Sequence, residues 1–122
     1  MTTLRERARA LLASRAEVEA AEERLDAEAT GCTPVAQLAD RGRAVVSGVL
    51  RSVTLRPREG VPALEAELYD GSGTLDLVWL GRREIAGIVP GRRMQVEGLV
   101  CRVDGRRVLF NPRYQLRPRP GE

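Results

Sequence analysis

Leu68-Tyr69-Asp70-Gly71-Ser72-Gly73-Thr74-Leu75-Asp76-Leu77-Val78-Trp79-Leu80 is the stretch that decides the fold class of this 122-residue chain. Two runs with alternating apolar residues flank Asp70-Gly71-Ser72-Gly73, a cluster of glycines and short polar side chains suited to reversing the chain. The spacing predicts an antiparallel hairpin with strands over roughly 62–70 and 73–80. The two-residue period turns Leu64, Ala66 and Leu68 inward and sets Glu65, Glu67 and Tyr69 on the opposite face. Trp79 shares the phase of Leu75 and Leu77 and reads as core, with a stacking platform as the alternative; Phe110 also reads as core. Asp70 is accounted for by its turn, and Asp76 by the exposed side of its strand.

Working outward, three further strands read at 43–55, 92–103 and 106–117. Asp104-Gly105 joins the last two as a tight hairpin, because both residues tolerate positive φ. Between strands three and four, Gly81 to Gly91 carries Ile85, Ile88 and Val89 and ends at Pro90-Gly91, which predicts one or two helical turns and a stop. Val46-Ser47-Gly48-Val49-Leu50 and Val96-Glu97-Gly98-Leu99-Val100 share the form Val-x-Gly-x-aliphatic. A glycine at one phase of two long strands marks the bends that a small barrel needs.

Ahead of these strands, residues 1–31 are rich in Ala, Leu, Glu and Arg and lack proline. Thr3 and Glu6 have the capping-box spacing and Gly31 supplies a stop, so the segment reads as one long helix. Leu4, Leu11, Val18 and Leu25 recur every seven residues, with Ala8 and Ala29 on the same side, and give a narrow apolar stripe. Arg15 and Glu22 occupy intervening core-type positions. The stripe is expected to serve a homodimer or protein partner, or to pack against the chain's own following domain, with a mobile helix as the third alternative. Thr30-Gly31-Cys32-Thr33-Pro34 begins a linker over 32–42, and 118–122 form a tail.

All 20 basic residues are arginine, against 17 acids, and histidine is absent. The helix holds five arginines and seven acids, and the remainder fifteen and ten, so the basic character belongs to the strands. Without histidine no imidazole acid/base pair can form, and without lysine no phosphate-cradling loop can end in one. Cys32 and Cys101 lack metal-ligand spacing and read as free thiols. No cofactor, metal or catalytic residue is expected, and the protein reads as non-enzymatic. Apolar runs fall far short of the ~20 residues that span a bilayer, and a cytoplasmic location is expected.

The hairpin quoted above, followed by Ile85 to Gly91 and Met94-Gln95-Val96-Glu97-Gly98, resembles the OB-fold, a mainly β, five-stranded Greek-key barrel with a short helix between strands three and four. Here the long N-terminal α-helix precedes it. Residues 43–117 are similar to the nucleic-acid-binding domains grouped with the anticodon-binding domain of class II aminoacyl-tRNA synthetases and with the RecG wedge domain. Phe110-Asn111-Pro112-Arg113-Tyr114 departs from the RecG pattern by carrying Asn111 where that group often has histidine before proline. The short, lysine-free chain also resembles stand-alone OB-fold proteins of high-GC actinobacteria.

The resemblance implies single-stranded DNA or RNA binding on strands two and three, flanked by the loops after strand one and between strands four and five. Arg51, Arg56 and Arg58 lie on or near the first loop, Arg82 and Arg83 follow strand three, and Arg106 and Arg107 sit at the last hairpin. With Tyr69, Arg113 and Tyr114 these are the candidate nucleic-acid contacts. Glu65 and Glu67 repel phosphate and the chain has few aromatics, so modest affinity is expected. The same carboxylates favour a rival reading, a protein-interaction module.

Overall fold

The computed structural model describes residues 3–29 and 31–118. The chain is mainly β with one N-terminal helix: α1 (Leu4–Ala29), β1 (Arg43–Leu55), β2 (Ala63–Tyr69), β3 (Thr74–Leu80), β4 (Arg93–Leu99), β5 (Cys101–Val103), β6 (Arg106–Phe110) and β7 (Arg113–Leu116). The strands form one mixed sheet in the order β5-β6-β3-β2-β1-β4-β7, open in its pairing with β5 and β7 at its ends. The fourth expected strand is thus divided at Val100, and the fifth at Asn111-Pro112. Val100 alone separates β4, which pairs with β1, from β5, which pairs with β6.

The hairpin forms as its pattern requires, with Leu64 opposite Trp79 and Leu68 opposite Leu75. These four side chains are buried with Val46, Leu50, Met94, Val96 and Leu109 in one apolar core. Each such side chain contributes about 1.5–3 kcal/mol by leaving water. Trp79 is core, and its indole Nε1 donates to the Pro112 carbonyl at 3.3 Å. At Asp104-Gly105 both residues adopt positive φ, 50° and 78°, and close the antiparallel β5–β6 hairpin. β6 instead pairs parallel to β3, Leu77 opposite Leu109. Beyond it Asn111 takes a φ of 48°, and its side-chain oxygen accepts the Leu80 amide at 2.9 Å. Asparagine tolerates the left-handed region, so it both turns the chain and caps the end of β3.

Two expectations are corrected. No helix forms between β3 and β4; residues 81–92 are turns, with Ile88 N–H donating to the Ile85 carbonyl at 3.1 Å. Gly87 and Gly91 have φ of 83° and 88°, which interrupts a right-handed helix, while Ile85 and Ile88 reach the core. Residues 32–42 are not a mere linker either. They contain a short 3-10 turn, Val35–Gln37, and bury Cys32, Val35 and Leu38. Asp70 holds that segment in place: its Oδ2 accepts the Val35 amide at 2.8 Å, and its Oδ1 accepts Ser72 N–H, Ser72 Oγ–H and Gly73 N–H at 2.9, 2.7 and 3.1 Å. The turn alone therefore does not account for this carboxylate.

The capping box at the start of α1 is formed reciprocally, Thr3 N–H to Glu6 Oε2 at 3.1 Å and Glu6 N–H to Thr3 Oγ1 at 3.2 Å. Gly31 follows the helix with φ 72°. Of the apolar stripe, Leu4, Leu11 and Val18 remain 86%, 65% and 54% exposed and are not packed on the sheet. The side chains of Leu25 and Ala29, and tail residues 119–122, lie outside the described residues. No helix among the described residues is long and apolar enough to cross a membrane.

Candidate binding face

The face of the hairpin opposite the core is built by register. Ser52, Glu67, Asp76 and Val108 form one cross-strand row over β1, β2, β3 and β6, and Thr54, Glu65, Val78 and Phe110 form the next. Val78 and Val108 are nevertheless buried, packed with Ala63 and half-buried Phe110 in a small second apolar cluster. Phe110, expected in the core, packs half-buried against this second apolar cluster.

Arginines cover this cluster and meet the carboxylates. Arg58 Nε and Nη2 donate to Glu65 Oε1 at 3.0 and 2.7 Å, and the Arg58 guanidinium carbon stands 5.8 Å from the centre of the Phe110 ring. Arg56 approaches Glu65 at 3.7 Å. From the other end, Arg106 makes a two-pronged pair with Asp76, Nε to Oδ2 at 2.6 Å and Nη2 to Oδ1 at 2.8 Å, and lies 3.7 Å from Glu67. Asp76's hydrogen bond, then its charge, hold the Arg106 pKa above its ordinary value; burial opposes this and Glu67 adds to it. These arginines and carboxylates, with Asp104, line a groove of about 280 Å³ containing three arginines and four carboxylates. The groove is therefore close to charge balance, and its exposed ion pairs are individually weak, about 0.2–1 kcal/mol.

Arg51 is placed differently. Leu50 faces Leu68 and Ser52 faces Glu67, so Arg51 is the extra residue of a bulge in β1. A bulge re-aims a side chain, and here the guanidinium stacks 3.6 Å from the Tyr69 ring centre. Arg82 and Arg83 are exposed immediately after β3, where Gly81 N–H donates to the Pro62 carbonyl and ties this turn to the loop of Arg56 and Arg58. Arg107 is half-buried opposite Arg102, and its Nε is buried with no hydrogen-bond partner. Arg113 and Tyr114 are exposed on β7, paired to β4 at the far edge of the sheet order, where Tyr114 meets Trp79 edge-on at 5.9 Å. The structure brings Arg51, Arg56, Arg58, Tyr69 and Arg106 to one face and leaves Arg113 and Tyr114 off it. Among the described residues, Arg51, Arg82, Arg83, Arg107 and Arg113 form no ion pair.

Asp76 as the anchor of Arg106, and Phe110 as the floor under Arg58, are not visible in sequence. Both depend on β6 lying parallel to β3, with Asp76 and Arg106 30 residues apart. A scan against protein-family models and a search of curated proteins found no match.

Proposed function

We propose that this chain is a non-enzymatic OB-fold module that binds single-stranded nucleic acid, with modest affinity, across the outer face of β2 and β3. The strand connectivity supports the fold: β1, β2 and β3 form an antiparallel meander, β6 runs parallel to β3, and β4 continues through Val100 into β5. Counting β4 and β5 as one bent strand gives the pairing sequence of a five-stranded barrel, with β7 as an addition.

The observation that carries the functional reading is the Arg51–Tyr69 stack. It offers a cationic, planar surface without an acidic partner at one end of the face, with Arg82 and Arg83 beyond the other end. A base can stack on such a surface while its phosphates meet the guanidinium groups. The central carboxylates oppose this, because Arg58 and Arg106 are already committed and phosphate binding there leaves Glu65 or Asp76 facing like charge.

The test is fluorescence anisotropy of labelled single-stranded DNA, single-stranded RNA and duplex DNA at ~50 and ~200 mM salt, where phosphate contacts give a steep salt dependence. Arg51→Ala weakens single-strand binding about fivefold or more, the size of one lost stacking contact. Asp76→Asn acts in the opposite direction and tightens it severalfold, by removing a repelling charge and releasing Arg106. Absence of binding to all three nucleic acids by the folded protein overturns the reading and assigns the charge-balanced groove to a protein partner.

A further inference from the structure

The charge of α1 is segregated along its length. Residues 4–15 carry Arg5, Arg7, Arg9 and Arg15 against Glu6 alone, while residues 16–29 carry Glu17, Glu19, Glu22, Glu23, Asp26 and Glu28 against Arg24 alone. This order opposes the helix dipole, which favours acids near the N-terminus and bases near the C-terminus. Only Glu6 in the first turn suits it, and the last turn has no basic residue. The arrangement therefore costs the isolated helix stability. Its apolar stripe adds to the cost, since Leu4, Leu11 and Val18 stand in solvent. A helix whose apolar face lacks tertiary support is marginal in water.

One arrangement relieves both costs. We propose that α1 pairs with α1 of a second copy of this chain in an antiparallel, two-fold symmetric coiled coil. When Leu11 of one copy is level with Val18 of the other, the axis passes between residues 14 and 15. Leu4 then lies level with position 25, Arg7 with Glu22 and Ala8 with Ala21; Arg5 lies level with Arg24 and Glu6 with Glu23, so the complementarity is that of the two halves as blocks rather than of every level pair. The stripe thus meets itself, the small alanines permit close approach, and each basic half lies along an acidic half. A parallel pair instead sets Arg5, Arg7 and Arg9 beside their own copies and the acidic half beside itself. The charge pattern is complementary to its own reverse, which is the requirement for an isologous interface.

Sedimentation equilibrium of the full chain tests this. The wild type sediments as a dimer at ~50 mM salt and dissociates more readily at ~500 mM, because exposed charge pairs are screened. The triple variant Arg5→Glu, Arg7→Glu, Arg9→Glu weakens the dimer at least tenfold while circular dichroism shows the helix retained, since acids near its N-terminus suit the dipole. Adding Glu19→Arg, Glu22→Arg and Glu23→Arg to that variant restores the dimer by exchanging the two blocks. A monomer at ~200 µM and low salt, well above the Kd of a stable coiled coil, overturns the proposal. So does a dimer that the triple variant leaves intact, which is the result expected of a parallel pair.

Discussion

Asp70→Ala is expected to destabilise the fold by about 3–5 kcal/mol, because hydrogen bonds to a carboxylate are worth about 1.5–3 kcal/mol each and several are lost together. The carboxylate accepts from Val35 N–H, Ser72 N–H, Ser72 Oγ–H and Gly73 N–H, and it is almost completely buried. Alanine removes every acceptor at once and leaves the Val35 amide, itself under the core, without a partner. A buried donor so orphaned costs about 1–3 kcal/mol by itself. The loss also removes one of two hydrogen bonds that tie residues 32–42 to the β2–β3 turn; the other, Ala36 N–H to Ser72 Oγ at 3.1 Å, uses a hydroxyl that Asp70 itself orients. Urea unfolding followed by Trp79 fluorescence reads the effect as a lower midpoint. Asp70→Asn keeps one acceptor oxygen and falls between the wild type and alanine. A change below ~1 kcal/mol for Asp70→Ala, within the range of an ordinary surface substitution, contradicts the anchoring role.

Gly48→Ala is the second large effect. A Cβ at this position stands 2.5 Å from the Tyr69 carbonyl oxygen and 2.9 Å from its carbonyl carbon, both backbone atoms of the paired strand. Neither can swing aside as a side chain does, so β1 and β2 must separate where β1 bends ahead of its bulge. The expected cost is about 2–4 kcal/mol, toward the severe end for overpacking. Gly98→Ala is the control. Its Cβ meets only Leu109 and Pro112 at ordinary van der Waals distance, 3.7–3.8 Å, and the change is expected to cost less than ~1 kcal/mol. The matched Val-x-Gly-x-aliphatic pattern draws attention to both glycines, but strand crossing makes only the first one indispensable. Because Gly48 lies against Tyr69, its substitution also displaces the ring on which Arg51 stacks; loss of oligonucleotide binding in a variant that remains folded reports that displacement.

The candidate face was half legible. Period two places Glu65, Glu67 and Tyr69 outward and Trp79 inward, because strand geometry sets alternate side chains on opposite faces. Loop positions likewise put arginines at both ends of the hairpin. What periodicity does not contain is which arginine meets which acid. Arg106 finds Asp76 across a parallel pairing, and Arg58 and Arg56 find Glu65 across a loop, so three of the expected phosphate contacts are paired within the protein. Arg51 is left for stacking by a one-residue bulge, a register detail set by the packing of β1 against β2.

Features that depend on near neighbours are legible in the chain itself: the capped helix start, the inward and outward faces of the hairpin, and the Asp104-Gly105 turn. These follow from dihedral preference and side-chain period, which act over a few residues. Tertiary structure alone decided the rest. It divided the last two expected strands and drew Val35, Leu38, Ile85 and Ile88 into the core. It also left Leu4, Leu11 and Val18 of α1 exposed. Each of these outcomes is set by partners distant in sequence, where burial of apolar surface and satisfaction of a buried carboxylate outweigh local preference.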